Sequence, residues 1–196
     1  TKPFIEFGNF LFKIASEFSD LEYINFGSGF GVKYAEEDKD FDFEKVFQHY
    51  STLCNSLSKN FKREIVLKIE PGRAILADAG ILLVRITNVK KLNSKKSEIS
   101  VNAGFAELAR PRIYNSYHKI ENLEKTGKPQ KIYDIRGNTV LQNDFLGRDR
   151  TLEEVKEGDY LLIKNVGAYG IVMSSGFPGK KLPKQILINK DKIEEI

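Results

Sequence analysis

The chain has 196 residues, 41% hydrophobic and 30% charged, with a net charge of +4, enough to bury a full core and to hold one domain plus part of another. Its basic residues are interleaved with acidic ones rather than blocked together, which argues against nucleic acid as a partner. No run is long and apolar enough to span a bilayer, and no signal peptide opens the chain. Cys54 is the sole cysteine, so no intrachain disulfide can form and a reducing, cytoplasmic setting is expected.

Thr1-Lys2-Pro3 runs directly into a helix without an initiating methionine, as expected of a piece of something longer. Phe4, Phe7, Leu11, Ile14 and Phe18 recur at intervals of three and four, which predicts an amphipathic helix to about Ser19. Residues 22–26 read as a buried strand feeding Gly27-Ser28-Gly29-Phe30-Gly31. A second helix is expected over 43–59, with Cys54 on its apolar stripe as a buried, inert thiol. Residues 64–69 form the next strand and deliver Glu70-Pro71-Gly72-Arg73. Helix, strand, helix, strand, each strand ending in a turn, is the rhythm of a parallel α/β fold.

The rhythm changes after about Ala79. Segments 81–89, 98–101, 131–136, 160–165 and 185–189 are strand-like, and helical signal is confined to pieces near 104–117 and 151–156. Two domains are therefore expected, 1–79 and 80–196, the second mostly antiparallel β. A complete (β/α)8 barrel needs about 250 residues, so the first part would supply only the last barrel units, with earlier strands outside this chain.

Chemistry concentrates at the strand ends. Glycines in 27–31 admit positive φ and let backbone amides approach an anion. In 70–73, Pro71 fixes the turn, Gly72 bares its amide, and Arg73 can pair bidentately with a phosphate or carboxylate. The bland alternatives are an ordinary tight turn and a Glu70–Arg73 salt bridge. Arg110 to His118 combines cations, phenols and an imidazole, and Arg110 with Tyr114 one turn on could grip a substrate carboxylate. Tyr169, in Gly167-Ala168-Tyr169-Gly170, is either a donor to a cofactor or a turn aromatic. With only two histidines in the chain, no metal site is expected.

Taken in order, Ile24–Gly31, Glu70–Arg73 with Ala77–Gly80, Val101–Gly104, Arg110-Pro111 through Tyr117-His118, and Gly167–Gly170 before Ser174-Ser175 resemble the pyridoxal-phosphate-dependent decarboxylases of the diaminopimelate/ornithine type. The diaminopimelate branch is the nearest. The resemblance implies the C-terminal part of an alanine-racemase-like barrel followed by a β domain, and α-decarboxylation of a small amino-acid substrate with pyridoxal 5'-phosphate as electron sink. It also implies a homodimer with shared active sites. Gly27, Ser28, Gly29, Glu70, Pro71, Gly72, Arg73 and Tyr169 would hold the cofactor; Arg73, Arg110, Tyr114 and Tyr169 would contact substrate. The family's cofactor-bearing lysine lies on an early barrel strand, and Lys68 does not match it. This chain alone is therefore expected to be inactive, with Tyr169 its one candidate proton donor.

The resemblance also has a gap. Where diaminopimelate decarboxylases carry Cys-Glu-Ser ahead of an aspartate, this chain has Val140-Leu141-Gln142 ahead of Asn143-Asp144, with Asp149 and Arg150 in register. In the family the cysteine helps protonate the product and the glutamate reads the substrate's distal amino group. Valine and leucine can do neither, which implies an altered substrate, as in siderophore or antibiotic assembly. The alternatives are a noncatalytic homologue that binds a ligand or partner, and a racemase-like enzyme, which the Arg110–His118 match disfavours.

Overall fold

A computed structural model describes residues 1–27, 29–35, 37–124 and 127–196. The chain divides into two compact units, Thr1–Ile75 and Leu76–Ile196.

The first unit is built from α1 (Lys2–Ala15), β1 (Tyr23–Asn25), α2 (Phe43–Phe61) and β2 (Val66–Lys68). β1 and β2 pair in parallel, Ile24 opposite Leu67. An Asp42 side chain caps α2 by accepting the Lys45 N–H at 2.9 Å, as a free helix N-terminus requires. Helices α1 and α2 meet where a Cβ on Gly8 would come within 2.5 Å of the Tyr50 ring. That ring stacks on Phe26 at 3.9 Å, and its hydroxyl donates to the Phe4 carbonyl at 2.9 Å.

Two details of α1 differ from the periodicity. The helix stops at Ala15, where the Ser16 hydroxyl turns back to the Lys13 carbonyl, a local bond that competes with continuing the helix. Its buried face is Gly8, Phe12 and Ala15, while Phe7, Phe10, Ile14 and Phe18 are exposed. With apolar residues all round its stripe, the helix is oriented by the glycine that fits Tyr50. Cys54 is buried and donates to the Ile65 carbonyl at 2.8 Å; burial, with Glu64 nearby, pushes its thiol pKa up, which keeps it protonated and inert.

α3 (Gly72–Leu76) and a short 3-10 turn at Ala77–Ala79 follow β2 in the chain. The second unit is a six-stranded sheet in the order β5-β8-β3-β4-β6-β7. Its strands are β3 (Leu82–Lys91), β4 (Lys96–Val101), β5 (Ile120–Asn122), β6 (Gln130–Arg136), β7 (Phe145–Glu153) and β8 (Tyr160–Ile163), with α4 (Arg110–Tyr114) ahead of β5. All neighbours are antiparallel except β4 and β6, which are parallel. The sheet curls until β5 packs against β7; Gly147 on β7 permits this, since a Cβ there would lie 2.9 Å from Ile120 Cδ1. Alternate residues such as Val84, Ile86, Ile99, Ile135 and Leu161 fill the interior, following the period of two. A separate hairpin, β9 (Ile186–Asn189) with β10 (Lys192–Glu195), ends the chain.

The helix expected at 151–156 is absent: Thr151, Leu152 and Glu153 pair with Ile132, Lys131 and Gln130 across β6 and β7. A cross-strand ladder overrides the local helical preference. Strands β5, β7 and β10 went unseen in the sequence.

Candidate functional site

In the first unit the two turns expected to hold an anion are joined into one cradle. Parallel pairing of β1 with β2 carries the chain out of both strands at the same end, the end where α/β folds place ligands. The Glu70 N–H donates to the Gly27 carbonyl at 2.7 Å. Asn25 completes the tie: its Nδ2 donates to Glu70 Oε1 at 2.7 Å, and its Oδ1 accepts the Gly27 N–H at 2.7 Å. Glu70 therefore bonds to Asn25, and this bond, rather than an ion pair to Arg73, fixes its carboxylate.

Gly27 and Gly29 adopt φ of +62° and +100°, a region that disfavours any other residue. Phe30, fully buried against Phe4 at 5.2 Å, anchors the far end of the turn. Cβ atoms at Gly27 and Gly31 would meet nothing within 4 Å, so the backbone here faces open space. Gly72 and Arg73 open α3 immediately after Pro71; the Gly72 amide, expected to be bare, instead donates to the Glu70 carbonyl at 3.0 Å, which closes the turn on itself. Such a set suits a phosphate ester: bare backbone, one arginine, and a carboxylate already engaged elsewhere. Ser28 lies outside the described residues. Lys68 holds its ammonium 3.5 Å from the Tyr23 ring centre, a cation–π contact.

In the second unit, α4 places Arg110 and Tyr114 one turn apart. Arg110 is buried and donates to the Ser116 hydroxyl at 3.1 Å, whereas Tyr114 is exposed. His118 is fully buried; its Nδ1 donates to the Lys164 carbonyl at 2.9 Å. Burial first, then the positive charges of Arg110 and Arg150, hold its pKa below the usual histidine value against the pull of that bond.

Tyr169 has φ of +62°, uncommon for an aromatic residue and of the kind that gathers at functional sites. Its neighbours Gly167 and Gly170 are forced by crowding, since a Cβ at either would run into the carbonyl of Leu76 or Val166. The chain thus folds tightly around Tyr169 and leaves it about one-third exposed.

The loop 137–144 shows why Asp144 stands in its position. Its buried carboxylate accepts from Phe105 N at 2.8 Å, Thr139 N at 3.0 Å and Thr139 Oγ1 at 2.6 Å. Cβ atoms at Gly104 or Gly137 would fall within about 2.5 Å of it. On the other side Lys180 pairs with Glu107 and donates to Asn138 Oδ1 at 2.7 Å. This frame presents Val140 at 80% exposure and Leu141 half-buried. Gly104 and Gly137 leave the room that this carboxylate fills, and nothing in their spacing along the sequence names it.

Residues 15–167 match the family described as pyridoxal-dependent decarboxylase, C-terminal sheet domain. A diaminopimelate decarboxylase of Aquifex aeolicus is 38% identical over 90% of this chain. The chain spans 40% of that relative's length. Among solved structures, a diaminopimelate decarboxylase superposes with a TM-score of 0.92 at 28% identity, covering 99% of this chain and 49% of that one. The Helicobacter pylori diaminopimelate decarboxylase complexed with L-lysine gives 0.84 at 27% identity, covering 98% and 47%. The architecture is accordingly the C-terminal part of that fold, its sheet domain included.

Proposed function

The chain belongs to the pyridoxal-dependent decarboxylase family, and from that premise we propose that it is the C-terminal part of an amino-acid decarboxylase whose substrate differs from diaminopimelate. Bound pyridoxal 5'-phosphate would accept the electron pair left when an α-carboxylate departs as CO2. The observation that carries the reading is the cradle tied by Asn25, Gly27 and Glu70, with open backbone at Gly31. Gly27, Ser28, Gly29 and Gly72 would shape the turns that face the cofactor's phosphate, the Gly27 and Gly72 N–H groups being engaged by Asn25 Oδ1 and the Glu70 carbonyl; Arg73 would neutralise its charge, and Glu70 and Pro71 would hold the turn in place.

Arg110 and Tyr114 would bind the substrate's distal end, with Arg73 and Tyr169 also in contact. Tyr169 Oη is this chain's candidate to return a proton to the carbon that loses CO2; a lysine from the remaining part of the protein and water are the competing donors. Val140 and Leu141 support the altered substrate, because neither side chain can pair with a distal ammonium, and a polar group left unpaired costs about 1–3 kcal/mol. The matched relatives are diaminopimelate decarboxylases and lend no support to a siderophore or antibiotic pathway. The completed enzyme would be a cytoplasmic homodimer with shared active sites, a point that sedimentation checks. Among the described residues no helix is long and apolar enough to cross a membrane.

The test uses the full-length protein. Cofactor loading should give a visible absorbance that borohydride abolishes, and CO2 should be released from amino acids other than meso-diaminopimelate. Efficient turnover of meso-diaminopimelate would overturn the altered substrate. Absence of the borohydride-sensitive band would favour the second reading, a noncatalytic ligand-binding or partner module, which the loss of Cys and Glu at 140 and 141 also accommodates.

A further inference from the structure

The second unit holds a cavity of about 610 Å³ between the end of α4 and β7. Arg112, Arg148 and Arg150 line it together with Asn115, Ser116 and Tyr117, and among the described residues no Asp or Glu lines it. We propose that this cavity is a binding site for a small multivalent oxyanion, a phosphoryl or dicarboxylate group held by the guanidinium groups of Arg148 and Arg150.

A β-bulge builds the site. On β7, Gly147 and Arg150 lie three residues apart, yet they face Ile135 and Tyr133, two apart on β6. The extra residue puts Asp149 at φ of +53°, a conformation that needs outside support. Asp134 gives that support: its Oδ1 accepts the Asp149 N–H at 2.9 Å. Lys96 bridges Asp134 at 2.8 Å and Asp149 at 2.6 Å. Burial works against the Asp134 charge, but the Lys96 and Asp149 bonds win and hold its pKa below the ordinary carboxylate value. Bulges of this kind re-aim side chains and are common beside binding sites. Here Arg148 and Arg150 both line the cavity, while the Asp149 carboxylate between them is bound to Lys96.

Both arginines are held in place before any ligand arrives. Arg148 lies 3.7 Å over the Phe145 ring and donates to Asn143 Oδ1 at 3.2 Å. Arg150 lies 3.7 Å over the Tyr117 ring, and Gly147 leaves room for it, since a Cβ there would sit 2.6 Å from Arg150 Nε. That Nε is buried without a hydrogen-bond partner, and desolvation lowers the guanidinium pKa against the weaker pull of Tyr117 and Asp149. Partly buried charges are normally paired. A guanidinium kept desolvated, aromatic-stacked and without a carboxylate is prepared for an anion from outside.

The experiment titrates the whole chain with inorganic phosphate and, separately, with succinate in low-salt buffer, followed by calorimetry and by ligand-induced shifts in melting temperature. Millimolar or tighter binding should weaken at least tenfold in Arg150→Gln and in Arg148→Gln, and persist in Gly31→Val, which crowds the separate glycine turn. Arg148 is exposed, so its variant carries the test if Arg150→Gln fails to fold. Preference for phosphate or for succinate identifies the ligand class. The proposal is overturned if neither anion binds, if both arginine variants bind as the parent does, or if binding disappears in Gly31→Val alone. That last result would place the anion in the glycine turn and leave the cofactor reading standing.

Discussion

The glycine turn at 27–31 and the loop at 137–144 are both strand exits containing glycine, yet they use it in opposite ways. Around Gly137 the space is taken by the chain's own carboxylate, and Asp144 satisfies the amides of Phe105 and Thr139 from within. At Gly27 and Gly31 the space where a side chain would stand is empty. A loop that closes on its own charge needs nothing further to hold its shape. A turn that bares its backbone to open space, tied at its base by Asn25 and Glu70 and at its far end by Phe30, has room for something the chain does not contain.

The largest effect should come from cutting the internal clamp. Asp144→Ala strips three donors of a buried acceptor and should destabilise the chain by about 3 kcal/mol, seen as a lower denaturant midpoint. An unchanged midpoint would mean that the loop is not held from within, and the contrast with the glycine turn would collapse. Gly137→Ala pushes a Cβ to within 2.5 Å of Asp144 Cγ and should cost about 2 kcal/mol through overpacking.

The same contrast separates what the sequence discloses from what it conceals. β1 and β2 were legible because apolar β-branched residues run straight into glycine and proline, and the Glu70–Arg73 turn stood out for the same reason. The tie between Asn25 and Glu70 was not legible, because 45 residues separate them and only parallel pairing brings them together. On β7 the charged run Arg148-Asp149-Arg150 and a bulge broke the period of two, so a nine-residue strand read as loop followed by helix. Asp144 was visible as a family position, but its role depends on Gly104, which comes from 40 residues upstream. The positive φ of Tyr169 is a property of the folded backbone, and an aromatic letter between glycines does not encode it.

A smaller effect follows from His118, one of the buried ionisable groups of the second unit. Its folded pKa is depressed below the ordinary 6.5, so the unfolded chain binds the extra proton first as pH falls. Its contribution to stability is complete above about pH 6.5, erodes as pH drops below that value, and is lost once pH falls through the folded pKa. Denaturant midpoints measured from pH 7 downward should decline over that window, and His118→Gln should flatten the decline. A decline that survives in His118→Gln would assign the acid sensitivity to other groups.

The smallest stability change is the most telling. Gly31 has neither a positive φ nor a neighbour within 4 Å of a Cβ, so nothing inside the chain requires glycine there. Gly31→Ala should shift the denaturant midpoint by less than about 0.5 kcal/mol, as an uncrowded surface change does. Gly27→Ala, which must hold φ of +62°, should cost about 1 kcal/mol. If the open space at Gly31 exists for a phosphate ester, the silent substitution should still weaken pyridoxal phosphate binding by the full-length protein about tenfold, measured by equilibrium dialysis. Unimpaired binding in Gly31→Ala would show that the empty space is ordinary solvent and that the phosphate is held elsewhere. A loss of stability as large as that of Gly137→Ala would show that both strand exits are braced by their own chain.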